Sequence, residues 1–135
     1  MTARRILIVE DDKMLCTIFQ IFIQELEYDI VSIVRTGEDA IEACENHPDI
    51  DIILIDIHLD GQIDGVETVN RINDFRNIPV VFITGDSSSQ TIESATIDNV
   101  YGFMMKPVYK RNLGVALEYA LAKFKKDSSS RKVNS

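Results

Sequence analysis

The sequence predicts an α/β fold in which a doubly wound, five-stranded parallel sheet lies between two layers of helices, a three-layer sandwich. Two observations support this prediction. Short apolar runs of strand length alternate five times with segments of helical period. The third run, Ile52–Ile55, has no polar residue, which is typical of a strand covered on both faces. At 135 residues, with 45% hydrophobic and 27% charged residues, the chain fits one globular domain.

Three strands and two helices are predicted in the first half of the chain. Asp12 suits the N-cap of a first helix that begins at Lys13 and carries a regular apolar stripe. Thr36, with Asp39 three residues later, begins a second helix, which His47-Pro48 ends. The predicted strands are Ile6–Val9, Ile30–Val34 and Ile52–Ile55.

The second half contains two further strands and three helices. A loop with two Asp-Gly pairs leads to the third helix, and Pro79 introduces the fourth strand. The serine-rich segment Ser87–Ile97 predicts a weak fourth helix, which we expect to be the most mobile element. The fifth helix is predicted from about Tyr109 to Phe124, and Asp127–Ser135 is expected to be a disordered polar tail after a domain of residues 1–126. The fourth and fifth strands are predicted at Val80–Ile83 and Val100–Met105.

Charge and composition argue against several classes of protein. A net charge of −8 and a pI near 4.7 disfavour direct binding to nucleic acid. Cys16 and Cys44 lack the spacing of a zinc site, and we expect both to be reduced and buried. No signal peptide and no apolar run of membrane-spanning length is visible, so no membrane contact is expected and the expected location is the cytoplasm.

Polar side chains follow the predicted strands where each strand ends. In doubly wound sheets the functional site lies at the carboxyl ends of the strands. Two strand ends that deliver carboxylates side by side would gather several acids, which favours a divalent cation beside a reactive carboxylate. These residues are Glu10, Asp11 and Asp12 after the first strand, Asp56 after the third, Thr84 after the fourth and Lys106 after the fifth.

This set of residues suits phosphoryl transfer to a carboxylate. Asp56 is either a residue that caps a turn or, beside the other acids, a metal ligand or nucleophile. Lys106 is either an ordinary surface lysine or a cation that pairs with Asp56 and then with a phosphoryl oxygen; Pro107 after it would permit a cis bond. Thr84 is either an ordinary turn residue or a donor of its hydroxyl to another phosphoryl oxygen, and Gly85 leaves room for close approach. The expected product is an aspartyl phosphate.

Five stretches of the chain resemble the receiver domain of two-component response regulators, the CheY-like family. The resemblance covers about residues 4–125 and implies the flavodoxin/CheY-like strand order 2-1-3-4-5. Together the stretches are specific, although each alone would be weak. They are Arg5–Asp12 (RILIVEDD), Ile53–Ile57 (ILIDI), Asp64–Glu67 (DGVE), Ile78–Gly85 (IPVVFITG) and Tyr101–Pro107 (YGFMMKP).

The resemblance implies that Asp56 accepts a phosphoryl group from a histidine kinase or a phosphotransfer protein. Glu10 and Asp11 match the acidic pair that holds Mg²⁺, with Asp56 and the main-chain carbonyl of His58 as further ligands. Asp12 then falls one place beyond the pair. The resemblance implies no catalysis other than Mg²⁺-dependent self-phosphorylation and autodephosphorylation.

The resemblance also implies a switch. Thr84 and Lys106 match the residues that engage the phosphoryl group, and Phe103 matches an aromatic residue that turns inward when the threonine moves. The surface formed by the fourth helix, fifth strand and fifth helix would then bind an unknown downstream protein or a second copy of the chain. Tyr101, two residues before Phe103, is expected at the surface or in an interface.

Two departures from the family pattern affect the expected site. Asp60 stands where the family often has proline, which predicts a looser loop after Asp56. His58 and Asp86 occupy the two positions that the family varies to set the rate of dephosphorylation, and their pairing leaves the signal lifetime open. The sequence also leaves open the kinase, the output and whether the chain belongs to a longer protein.

Three other functions fit the sequence less well. A phosphatase of the haloacid dehalogenase kind needs a second aspartate two residues after the nucleophile, where this chain has His58. An FMN carrier of the flavodoxin kind needs hydroxyls and glycines in the first turn, whereas Glu10, Asp11 and Asp12 would repel phosphate. In a scaffold that is never phosphorylated, the full set of acids, threonine and lysine would have no use.

Overall fold

The computed structural model describes residues 3–85 and 96–134 of the chain. In these residues one sheet of five parallel strands has the order β2-β1-β3-β4-β5, as the resemblance implied. The strands are β1 (Arg5–Val9), β2 (Asp29–Val34), β3 (Ile52–Asp56), β4 (Val80–Thr84) and β5 (Val100–Met105). The helices are α1 (Lys13–Glu25), α2 (Gly37–Asn46), α3 (Gly65–Asn73) and the C-terminal helix (Lys110–Asn134).

The core consists of two clusters, one on each face of the sheet. Successive strand residues point to opposite faces, so Ile6 and Ile8 join one cluster while Leu7 and Val9 join the other. The first face is covered by α1 and the C-terminal helix, which contribute residues such as Phe19 and Leu117. The second is covered by α2 and α3. This division is the three-layer arrangement that the unbroken apolar strands predict.

Side-chain caps begin three of the helices. Asp12 accepts hydrogen bonds from the main-chain N–H groups at the start of α1, and Thr36 accepts one from Asp39 N at the start of α2, as predicted. Asp64 caps α3 in the same way. Each capping residue lies where the chain passes from the carboxyl edge of the sheet into a helix, so the cap also helps to fix that connection.

The C-terminal segment differs from its prediction. The last helix runs from Lys110 to Asn134, so the predicted disordered tail from Asp127 is wrong for all residues that the structure describes there. Residues 127–132 are all polar and include three consecutive serines, so the sequence pattern there does not indicate a helix. Most of the predicted helix Ser87–Ile97, and Asp86 before it, lie outside the described residues.

The strands β3 and β4 each extend one residue beyond their apolar runs and include Asp56 and Thr84. Of the two free cysteines, Cys44 is buried as predicted, while Cys16 is only partly buried. Among residues 3–85 and 96–134, no helix is both long and apolar enough to cross a membrane.

Candidate functional site

The carboxyl ends of β1, β3 and β4 bring three polar side chains into the interior. Glu10 is fully buried, Asp56 is 2% exposed and Thr84 is fully buried. Lys106 follows β5, and its main-chain N–H donates to Thr84 O at 2.9 Å. Parallel strands carry their carboxyl ends to one edge of the sheet, which is why residues up to 96 positions apart in the chain meet there.

A short ion pair joins Asp56 and Lys106. Lys106 Nζ donates to Asp56 Oδ2 at 2.6 Å and lies 3.6 Å from Glu10 Oε1. Partial burial lowers the pKa of Lys106, but its hydrogen bond to Asp56 and the charges of Asp56 and Glu10 outweigh this effect, and the net shift is upward. The ammonium is therefore charged and directed at the carboxylate of β3.

Glu10, Asp11 and Asp56 form an acidic cluster. Each offers a carboxylate oxygen, and these oxygens lie within 4.8 Å of one another. Burial raises the pKa of Glu10 to about 8; the hydrogen bond from Asp12 N and the charge of Lys106 oppose this rise, and the charge of Asp56 adds to it. For Asp11, partial burial raises the pKa, but the hydrogen bonds that its carboxylate accepts, chiefly from Asp60 N, leave it below the usual value.

The residues of the acidic cluster fit Mg²⁺. Within the described part of the chain, the buried oxygen Glu10 Oε1 has no hydrogen-bond partner, because the Lys106 ammonium, 3.6 Å away, lies beyond hydrogen-bond distance. A buried oxygen of this kind is costly unless a cation neutralises it, and carboxylate oxygens are the ligands that Mg²⁺ prefers. Asp12 points instead into the cap of α1, so the placement favours Glu10 and Asp11 as the acidic pair.

The loop after β3 is attached to this cluster. His58 N donates to Asp56 Oδ1 at 2.9 Å, and the His58 side chain is exposed. Asp60 N donates to Asp11 Oδ2 at 2.9 Å, which ties the loop to the β1 end. The roles of the His58 carbonyl as a ligand and of the His58 side chain in dephosphorylation stay predictions.

Gly65 holds the same loop against the end of β3. A Cβ atom at this position would collide with the main-chain oxygen of Asp56 and would lie 2.8 Å from Ile57 Cα. Gly65 N also donates to Ile57 O at 2.8 Å. Only glycine permits this approach of α3 to the backbone that carries Asp56. The Asp64-Gly65 pair was visible in the sequence, but its contact with Asp56 was not.

Two other residues near the acids were missed by the sequence analysis. Arg35 Nη2 donates to the main-chain oxygen of Asp11 at 3.0 Å, and Cys16 Sγ donates to that of Glu10 at 3.1 Å. Both side chains donate to main-chain oxygens, so no spacing of residue types in the sequence could have indicated these contacts.

The aromatic residues of β5 point to different faces of the sheet. Phe103 is half-buried and stacks on Phe82, with ring centroids 5.8 Å apart. Tyr101 lies in an internal contact, because its hydroxyl donates to Asp127 Oδ2 at 2.9 Å. The bond between Lys106 and Pro107 is cis, as the sequence permitted.

Comparison with known proteins identifies the family to which the chain belongs. Residues 6–118 match the family described as the response regulator receiver domain. The chain is 28% identical to the transcriptional regulatory protein PdtaR of Mycobacterium tuberculosis over 122 residues, which are 90% of this chain and 58% of that protein. It is 32% identical to the transcriptional regulatory protein ZraR of Escherichia coli, covering 87% of this chain and 26% of that one. The chain thus spans little more than half of the first relative and about a quarter of the second.

Solved structures agree with the fold. The signal receiver domain of a modulated diguanylate cyclase from Desulfovibrio desulfuricans is 33% identical, with a TM-score of 0.85, and the match covers 93% of this chain and 99% of that one. A CheY-like response regulator receiver protein from Methanospirillum hungatei, 24% identical, has a TM-score of 0.83 over the same 93% and 99% and supports the fold alone.

Proposed function

Because the chain belongs to the response regulator receiver domain family, we propose that it is a phosphoacceptor in a two-component system, with Asp56 as the acceptor. The single observation that carries this proposal is the buried Asp56 carboxylate, bound by Lys106 at 2.6 Å and grouped with Glu10 and Asp11. A buried carboxylate with a cation on one side and two acids on the other has the surroundings that phosphoryl transfer requires.

The donor is a phosphohistidine of a sensor histidine kinase or of a phosphotransfer protein. An oxygen of Asp56 attacks phosphorus, the P–O bond forms as the P–N bond breaks, and the electron pair of that bond leaves with the donor imidazole. Glu10, Asp11, Asp56 and the His58 carbonyl would hold Mg²⁺, which when bound offsets the negative charge of the phosphoryl oxygens. Hydrolysis of the acyl phosphate by water resets the site, and this self-phosphorylation and autodephosphorylation is the only catalysis proposed.

Two residues of the chain would contact the phosphoryl group directly. Lys106, which pairs with Asp56, would exchange that partner for a phosphoryl oxygen, since its ammonium is directed at the point of attachment. The Thr84 hydroxyl would donate to a second oxygen. The movement of Thr84 leaves space that Phe103, now half-buried against Phe82, would fill.

The proposed output surface contains β5 and the C-terminal helix, together with the predicted helix Ser87–Ile97. Large apolar side chains are exposed there, at 51% for Met105, 66% for Val115 and 60% for Tyr119. A cavity of about 470 Å³ lies between β5 and the helix. We propose that a downstream protein, or a second copy of the chain, binds this surface after phosphorylation in the cytoplasm, with no direct contact to nucleic acid or membrane.

The chemical part of the proposal is tested with small phosphodonors. Incubation with acetyl phosphate or phosphoramidate and Mg²⁺ should add one labile phosphate, seen as a mass shift in intact-protein mass spectrometry. Asp56→Asn should abolish the shift, because the amide cannot form the acyl phosphate. Asp49→Asn is the matched control, since Asp49 pairs with Arg5 at the opposite edge of the sheet. An unchanged shift in Asp56→Asn would reject the assignment.

A further inference from the structure

A β-bulge in β5 directs Tyr101 toward the C-terminal helix. Val80 of β4 is paired with Val100, and the next residue, Val81, with Gly102, so the pairing register shifts by one residue at Tyr101. A bulge of this kind turns an extra side chain out of the regular alternation. Tyr101 therefore packs on the cluster formed with α1 and the C-terminal helix, whereas Phe103 packs on the opposite cluster.

Tyr101 contacts the distal part of that helix through both its hydroxyl and its ring. Its hydroxyl donates to Asp127 Oδ2 at 2.9 Å, and its ring meets Phe124 edge to face, with centroids 6.0 Å apart. Asp127 is held in addition by Lys123, whose Nζ lies 3.5 Å from Asp127 Oδ1. We call Tyr101, Phe124 and Asp127 the helix latch.

The helix beyond Phe124 has little sequence support of its own. Residues 125–132 contain no apolar side chain, and three consecutive serines lie among them. Serine favours caps and turns over helix interiors, and polar segments without an apolar face form helices only weakly. The tertiary contacts of Tyr101 are therefore important for the distal helix.

The same strand is attached to the acidic cluster at its other end. Lys106 directly follows β5, binds Asp56 and donates from its main chain to Thr84 O. β5 thus connects two fixed points, the Asp56–Lys106 pair and the helix latch. Because Lys106 pairs directly with Asp56 in the same structure, we assign the closed latch to the unphosphorylated arrangement.

We propose that the helix latch transmits the state of Asp56 to the distal C-terminal helix: it is closed when Lys106 binds Asp56, and it opens when a phosphoryl group takes Lys106 and Phe103 moves inward. This inference rests on the proposed phosphoacceptor function. It adds an output at residues 122–134, distinct from the exposed apolar surface around Val115. By linkage, opening the latch stabilises the phosphorylated arrangement in return.

Hydrogen exchange of the whole chain tests the latch, with beryllofluoride and Mg²⁺ as the phosphoryl mimic. In the parent, amide exchange in residues 122–134 should be slow without the mimic and faster with it. Tyr101→Phe keeps the ring and removes the hydroxyl, so exchange there should be about tenfold faster without the mimic, the scale expected for a lost hydrogen bond to a charged group. Tyr101→Phe should also bind beryllofluoride more tightly than the parent.

Tyr119→Phe is the matched control, because Tyr119 lies on the same helix and is 60% exposed. It should leave exchange in residues 122–134 unchanged. Asp127→Ala should reproduce the effect of Tyr101→Phe from the other side of the hydrogen bond. Unchanged exchange of residues 122–134 in both latch variants would overturn the proposal.

The mimic separates failure of the latch from failure of the proposed function. If beryllofluoride protects residues 53–60 but leaves residues 122–134 unchanged in the parent, the phosphoacceptor function stands and the latch is rejected. If beryllofluoride and Mg²⁺ protect nothing around Asp56, the phosphoacceptor function itself is rejected, and the latch as a transmitter of that state is rejected with it.

Discussion

At the scale of single residues, the acidic cluster has an environment that a bound cation would stabilise. Glu10 is fully buried, and one of its oxygens has no hydrogen-bond partner among the described residues. Asp11 is more exposed and accepts a hydrogen bond from Asp60 N. The two acids therefore differ in environment although they are neighbours in the chain, and they should respond differently to metal and to pH.

Asp11→Ala should weaken Mg²⁺ binding by at least about tenfold, because it removes one of three carboxylates from the ligand set. The fold should persist, and the free energy of unfolding should change by less than about 1 kcal/mol, since the lost hydrogen bond from Asp60 is offset by the loss of a repelling charge. Calorimetric Mg²⁺ titration and urea denaturation measure the two effects.

The adjacent acid provides the control for that experiment. Asp12 caps α1 and lies outside the acidic cluster. Asp12→Ala should therefore cost about 1 kcal/mol of stability, as a lost N-cap does, and leave Mg²⁺ affinity unchanged. If Asp12→Ala weakens Mg²⁺ binding and Asp11→Ala does not, the acidic pair has been placed one residue too early.

Metal-free stability should fall as pH rises toward 8. The pKa of Glu10 is raised from 4.5 to about 8, so between these values the folded state keeps a proton that the unfolded chain has lost. Stability from this group is fully present below the unfolded pKa and is lost as pH rises through the folded one. Because a tenfold change in proton affinity is worth about 1.4 kcal/mol, we expect a decrease of about 1–4 kcal/mol between pH 5 and pH 8.5.

Urea denaturation in EDTA at several pH values measures this decrease. Glu10→Gln cannot titrate and should flatten the profile. Saturating Mg²⁺ should also reduce the slope in the parent, since the cation favours the ionised carboxylate. A parent profile that rises or stays flat across this window contradicts the assignment of the proton to Glu10.

At the scale of the element, the position of Asp56 depends on how closely α3 approaches β3. Gly65 begins α3, and its backbone lies against the main chain of Asp56 and Ile57. The loop between β3 and α3 is attached at this point and again through Asp60 to Asp11. The departure from the family pattern at Asp60 thus falls in a loop that is attached at its base by Gly65 and again at Asp60 itself.

Gly65→Ala should destabilise the fold by about 1–3 kcal/mol, because the added methyl group collides with backbone that cannot move away. It should also slow phosphorylation by acetyl phosphate, since relief of the collision displaces Asp56. Gly102→Ala is the control, because a Cβ there would meet Val81 at an ordinary 3.5 Å. Equal stability losses in the two variants would show that the approach of α3 is not critical.

At the scale of the whole molecule, the two faces of the sheet are covered by different pairs of helices. The helix pair α1 and C-terminal helix covers one face, and α2 and α3 cover the other. Exposed apolar residues are grouped beside β5, at Met105, Val115 and Tyr119. The site edge and this surface share β5, because Met105 ends that strand and Lys106 follows it.

Val115→Glu should abolish self-association induced by beryllofluoride while leaving the mass shift with acetyl phosphate intact. The substitution places a charge in the apolar surface and leaves the residues of the acidic cluster unchanged. Size-exclusion chromatography with light scattering measures the association. Phe75→Glu alters another exposed apolar residue, 45% exposed near the end of α3, and should not affect it. Association that survives Val115→Glu but not Phe75→Glu would move the interface to the other face.

The amino-acid pattern was sufficient for the class of fold and for the edge that carries the site. Apolar runs of strand length, alternating with helical periods, identify a doubly wound sheet, and that topology brings Asp56, Thr84 and Lys106 to one edge whatever the side-chain details. The receiver resemblance added the strand order, which the structure confirms.

Other features depended on contacts between distant parts of the chain. The 2.6 Å pair of Lys106 and Asp56, the raised pKa of Glu10 and the approach of Gly65 follow from distances and burial that periodicity does not encode. The helical tail is the clearest case, because its own residues favour disorder, while Tyr101, 26 positions earlier, contacts it through a bulge. Local pattern selects the elements; long-range packing sets the distances, and the chemistry depends on those distances.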